Sequence, residues 1–177
     1  MTNTKTIAYN NDIVRSKAAV AAIGVTFFIV ATMLGAYVRI PVPGTPVPIT
    51  LQTFFALLAG AVLGKRLGFI SMLGYVAIGG AWLAGPTGGY IVGFAAAAYL
   101  VGALIERHVP ALVAFIAGSV AVYTCGVSWL VLAYKLPLAG AFSVGILPFI
   151  PGDLVKIAVA ALVFSRIAKR TKEIFSV

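Results

Sequence analysis

Six apolar stretches, at 18–38, 50–63, 67–84, 88–105, 111–134 and 152–168, leave this chain little choice of fold. Crossing the hydrocarbon core of a bilayer takes about 20 predominantly apolar residues of helix. The second stretch is short for that, so it is expected either to borrow part of the loop before it or to be buried among its neighbours. A soluble domain has no use for repeated runs of this length. Composition agrees: 62% of the residues are hydrophobic and 10% are charged, where a soluble domain carries roughly a quarter charged residues. The expected fold class is all-α integral membrane, a six-transmembrane-helix bundle. The chain reads as a single polytopic domain over 1–177, with residues 1–17 as a polar N-terminal segment and 18–170 as the bundle.

The net charge of +9 invites a nucleic-acid reading, which the distribution of charge argues against. With the N-terminus in the cytoplasm, Lys5, Arg15, Lys17, Lys65, Arg66, Arg107, Arg166, Lys169, Arg170 and Lys172 all fall inside. Arg39 and Lys135 fall outside, and Lys156 lies within a span. Ten against two is a positive-inside pattern, and it predicts an N-in, C-in topology. The basic segment RIAKRTK also suits the anionic headgroups of a lipid bilayer. Residues 1–17 have no apolar stretch before Arg15, so they read as a cytoplasmic segment and not as a cleavable leader. Cys125 stands alone in the fifth stretch, where it reads as a small packing residue. His108 stands alone in a cytoplasmic turn, so no metal-ligand cluster is expected.

Between the first two stretches lies PVPGTPVPITLQTFF, residues 41–55. Prolines at 41, 43, 46 and 48 remove four N–H donors and fix φ at each position, and Gly44 supplies a bending point. Taken alone, this is a turn that stops a helix. With Thr50, Gln52 and Thr53 placing polar side chains on the opening turn of the next helix, it is also the composition of a stiff lid over a small polar ligand. Irregular backbone next to a membrane must be buried in protein or line a cavity.

Small residues mark the packing seams. Gly85, Gly89, Gly93 and Ala97 recur every four residues, as do Ala56, Gly60 and Gly64. Such faces let helix backbones approach closely. Ala18 and Ala22, with Ala31 and Gly35 further along, form similar pairs on the first helix. Spacing alone leaves open whether Ala18 and Ala22 face lipid, a sibling helix or another protein.

Asp153 and Lys156 are charges at the edge of an apolar span, in PFIPGDLVK at 148–156. A charge within a membrane costs roughly 2.5–3.5 kcal/mol on insertion scales, so it is a functional candidate by default. The i, i+3 spacing puts both on one helix face. They read either as a structural pair or as a polar patch facing a cavity. By the same topology GPTGGY (85–90), the proline loop and this segment all lie on the outer side, with Thr87 and Tyr90 adding hydroxyls. Trp82, Trp129, Tyr134 and Tyr123 sit in the outer halves of their spans, as interfacial anchors or as pocket walls. The chain has no P-loop: GAVLGKR at 60–66 has the wrong glycine spacing and Arg66 where Ser or Thr is required. It has no Ser–His–Asp set and no paired carboxylates for ion coupling. It therefore reads as a binder without its own power source, and not as an enzyme.

The segments PVPGTPVPITLQTFFALLAGAVLG (41–64), GPTGGYIVGF (85–94) and PFIPGDLVK (148–156), in this order, closely resemble the BioY family. These are the biotin-binding S components of energy-coupling factor (ECF) transporters, and the resemblance runs from about residue 15 to about residue 170. It implies a six-helix bundle in the bacterial cell (cytoplasmic) membrane that binds biotin on its outer side and needs no cofactor. It also implies two kinds of partner, a transmembrane coupling (T) subunit and two cytoplasmic ATPase subunits, and an S component that topples in the membrane to deliver its vitamin. The family's Ala-xxx-Ala docking face maps onto Ala18 and Ala22. Biotin's ureido ring offers two N–H donors and one carbonyl acceptor, and its valerate ends in a carboxylate. The resemblance thus implies Asp153 and Lys156 first as ligand residues, then Gln52, Thr50, Tyr90 and Thr45, with Thr87 and Arg39 as further partners for the carboxylate. An S component for another small vitamin is the alternative, and a membrane-embedded enzyme lies behind it. The chain departs from the family pattern in AIGGAWLAGPTGGY (77–90), where a longer Gly-rich stretch is abbreviated to Gly79, Gly80 and Trp82.

Overall fold

The computed structural model describes residues 3–79 and 83–175. It is helical throughout except for one short hairpin. The order is α1 (Asn3–Tyr37), β1 (Arg39–Ile40), β2 (Ile49–Thr50), α2 (Gln52–Ile78), α3 (Gly88–Glu106), α4 (Ala111–Tyr134), α5 (Leu138–Gly145) and α6 (Ile150–Phe175). Among the described residues four helices are long and apolar enough to cross a membrane, and α5 with α6 forms a pair bent by 53° that is long and apolar enough to make a fifth when taken together.

α2 is not one straight rod. Gly64 interrupts it at φ 80°, ψ 174°, dihedrals that only glycine adopts without strain. A Cβ built on Gly68 would lie 2.8 Å from the Gly60 Cα, whereas eight residues of continuous helix span about 12 Å. The arms 52–63 and 65–78 therefore lie side by side, and the Lys65–Arg66 charges that follow the break sit at the turn. The next arm ends at Ile78, six residues before the hydropathy does. Gly79 there donates its N–H to the Tyr75 carbonyl at 2.9 Å.

The small-residue seams of α2 and α3 lie at helix interfaces. A Cβ on Gly60 would lie 2.2 Å from the Ala98 carbonyl oxygen, which is how closely α2 and α3 approach. Gly89 and Gly93 seat α3 against Trp129, Cys125 and Val122 of α4 in the same way. Packing of this kind substitutes for the hydrophobic effect, which lipid does not supply. Around this interior Ile23, Phe27 and Leu34 of α1 and Leu154 and Val155 of α6 remain exposed on the outside of the bundle. An apolar exterior is expected of a chain whose solvent is lipid.

Boundaries also differ from the sequence expectation at the last connection, and α1 already begins at Asn3. The connection 135–151 is not a plain loop, because Leu138–Gly145 forms α5 after Pro137. The last helix starts at Ile150 and takes Pro151 into its first turn, where a missing N–H costs nothing.

Candidate functional site

The proline loop is folded back on itself. β1 and β2 pair antiparallel, Arg39 opposite Thr50 and Ile40 opposite Ile49. Gly44 turns the tip at φ 82°. Thr45 accepts the Val47 N–H on its Oγ1 at 3.2 Å. The Leu51 N–H reaches the Gly35 carbonyl at 3.2 Å, tying the loop's end to α1. So positioned, Pro46, Val47 and Pro48 roof a cavity of about 390 Å³, within the usual range of about 300–1,000 Å³ for small-molecule sites.

Three irregular segments meet there, as the topology implied. Thr50, Gln52 and Thr53 enter from the loop and α2, Gly85, Pro86 and Thr87 from the turn before α3, and Phe149, Asp153 and Lys156 from the start of α6. Apolar walls come from Ile91 and Phe94 of α3 and Val122 of α4. Arg39 lines the rim, with its Nε donating to the Ala36 carbonyl at 3.1 Å.

The polar side chains form two groups. Lys156 Nζ meets Asp153 Oδ1 at 2.7 Å, and both side chains are only 10% exposed. Tyr123 of α4 donates its O–H to the other oxygen, Asp153 Oδ2. Asp153 lies in the first turn of α6, where the helix dipole favours an anion. Lys156 has two further N–H donors. In the second group Thr50 Oγ1 donates to Gln52 Oε1 at 3.0 Å, and Gln52 Nε2 donates to the Tyr75 hydroxyl.

Of the residues expected at the site, the cavity brings together Asp153, Lys156, Gln52, Thr50, Thr87, Tyr90 and Arg39. Thr45 is not in its lining; its hydroxyl serves the loop's own turn. Tyr90 lines the cavity with its ring, while its O–H donates to the Gly145 carbonyl at 2.8 Å. Trp129 Nε1 donates to the Gly85 carbonyl at 3.1 Å and Tyr134 O–H to that of Ala84 at 3.0 Å. The polar ends of these two aromatics therefore hold the turn before α3. Trp82 lies outside the described residues. Tyr123 and Tyr75 are the partners that motif reading missed. A buried carboxylate signals that a second donor is needed, but nothing in the sequence says which helix supplies it. Ala18 and Ala22 are both exposed on α1.

Comparison with known proteins is consistent in one direction. The family model described as BioY family matches residues 6–173. A probable biotin transporter BioY of Pyrococcus horikoshii is 36% identical over 160 residues, covering 83% of this chain and 95% of that protein. The biotin transporter BioY of Thermotoga maritima is 36% identical over 158 residues, covering 80% and 92%. Among solved structures, the S-component for biotin from an ECF-type ABC transporter superposes with a TM-score of 0.74. It is 27% identical, and the match covers 96% of this chain and 95% of that one.

Proposed function

The chain belongs to the BioY family, and from that premise we propose that it captures biotin in the cavity under the proline loop and takes it up as the S component of an ECF transporter. The observation that carries the site assignment is the buried Asp153–Lys156 pair facing a cavity that the proline loop roofs and apolar side chains wall in part. Taking two charges out of water gains little over apolar packing, so a pair kept in such a place has a ligand to meet. The carboxylate accepts from a ureido N–H and the ammonium donates to the ureido carbonyl. Gln52 and Thr50 add a second polar group, and Phe94, Ile91 and Phe149 provide the wall for the thioether ring. Arg39 and Thr87 suit the valerate carboxylate.

In this reading the two arms of α2, each shorter than the roughly 20 residues of a full crossing and packed among the longer helices, are the second and third passes of a six-pass bundle with α1, α3, α4 and the bent α5–α6 pair. The positive-inside count orients both termini to the cytoplasm and the cavity to the outer side of a bacterial cytoplasmic membrane. Lys5, Arg15 and Lys172 belong to that count, although their side chains lie outside the described residues. Uptake then draws on a coupling subunit and two ATPases, with the exposed Ala18 and Ala22 of α1 as the docking face.

Uptake of radiolabelled biotin by cells lacking their own transporter tests this reading. Accumulation is expected to rise when the coupling subunit and ATPases are co-expressed. Ala22→Trp is expected to abolish that rise while leaving biotin binding in detergent unchanged. Normal uptake by Ala22→Trp would show that this face does not dock the coupling subunit.

A further inference from the structure

Asp153 has two carboxylate oxygens, and each has a different kind of partner. Oδ1 accepts from Lys156, three residues along the same helix. Oδ2 accepts from Tyr123, which reaches across from α4. The first bond moves with α6 and leaves the carboxylate free to turn within the rotamers of that helix face. The second crosses a helix interface. Two donors on two helices fix the plane of the carboxylate, and one does not. The Tyr123 ring also lines the cavity, so this bond is made at the wall that the ligand touches.

We propose that Tyr123 is a positioning residue for ligand recognition: acting through Asp153, it sets the orientation in which the Asp153–Lys156 pair meets the ring of the bound ligand. The inference rests on the reading of the cavity as the biotin site. A cyclic urea presents its N–H and C=O groups edge to edge in a rigid ring. An acceptor and a donor must meet that edge at fixed spacing and in one plane. The carboxylate and ammonium stand 2.7 Å apart, and after their mutual contact each keeps hydrogen-bonding capacity for a ligand. Only a carboxylate that cannot rotate aims that capacity the same way each time. A rotating one serves other donor–acceptor patterns nearly as well, so its loss shows in selectivity as well as in affinity. Tyr90 provides the contrast within the same cavity, because its O–H is committed to the Gly145 carbonyl and ties a wall to the end of α5.

Tyr123→Phe removes the hydroxyl and keeps the ring. Binding of biotin and of 2-iminobiotin, whose ring near neutral pH is a cyclic guanidinium that presents N–H donors in place of the C=O acceptor, is measured on the purified chain in detergent. Tyr123→Phe is expected to weaken biotin about tenfold and 2-iminobiotin no more than about twofold, so the preference between them shrinks. In an Asp153→Asn background the same substitution is expected to change biotin binding about twofold or less, because a residue acting through Asp153 has nothing left to act on. Equal weakening of both ligands, or an undiminished tenfold effect in the Asp153→Asn background, would overturn the proposal. If Asp153→Asn binds no measurable biotin, the ligand preference alone decides. Both readouts compare ligands or backgrounds on folded protein, so lost stability by itself moves neither. Failure of the unaltered protein to bind biotin would instead remove the biotin reading and this inference with it.

Discussion

Two lysine–carboxylate pairs in this molecule have the same length and different surroundings. Lys65 Nζ meets Glu106 Oε2 at 2.7 Å, with the side chains 38% and 27% exposed. Lys156 meets Asp153 at 2.7 Å, with both side chains 10% exposed. The first sits where the break at Gly64 meets the end of α3, and the Lys65 backbone N–H also donates to Glu106 Oε1 at 3.0 Å. Water screens it, and pairs of this kind contribute about 0–1 kcal/mol. The second stands in a cavity wall, with a tyrosine on its remaining oxygen. Distance says nothing of what a pair is for; burial and the space it faces do. The Lys65–Glu106 pair fastens a turn, and the Asp153–Lys156 pair faces the cavity, where in the proposed function it meets a ligand.

Replacing both members of the buried pair should break the comparison most sharply. Asp153→Leu with Lys156→Met removes two charges together, and such replacements are often neutral or stabilising by about 1–4 kcal/mol. The double variant should therefore melt at or above the unaltered temperature in a detergent thermal-shift assay, yet bind no biotin. Loss of folding would mean that the pair is structural. Asp153→Ala alone should weaken biotin binding roughly tenfold or more while the protein stays folded, since a lost hydrogen bond to a charged group costs about 1.5–3 kcal/mol. Unaltered affinity would remove Asp153 from the site. The smallest effect is expected at the exposed pair. Glu106→Gln should lower stability by no more than about 1 kcal/mol and leave biotin affinity within about twofold. A larger change in affinity would show that the two ends of the bundle are coupled.

Much of the fold was legible because lipid imposes simple rules. Apolar length located the long helices α1, α3, α4 and α6 and the two arms of α2, and Lys and Arg placement gave an expected orientation. The four-residue spacing of Gly85, Gly89 and Gly93 marked a packing face without naming its partner, and the structure seats Gly89 and Gly93 against α4. The three irregular segments that carried the family resemblance are also the three that surround the cavity. Local detail was harder to read for a physical reason. A segment beside a membrane can be as apolar outside a long helix as inside one, so hydropathy did not register the end of α2 at Ile78 or the presence of α5. The pairing of Arg39–Ile40 with Ile49–Thr50 was hidden between prolines. Tyr123 was visible as an aromatic in the outer half of its span, but its bond to Asp153 depends on how α4 and α6 lie together, which no single span encodes. Thr45, which the resemblance implied as a ligand residue, accepts the loop's own Val47 N–H and stands outside the cavity lining.

Equilibrium binding of radiolabelled biotin to the purified chain in detergent, with desthiobiotin and thiamine as competitors, tests the central claim most directly. The account predicts saturable binding at nanomolar concentrations that desthiobiotin competes for and thiamine does not. Well-folded protein that binds no biotin, or gives it up to thiamine as readily as to unlabelled biotin, would contradict the account.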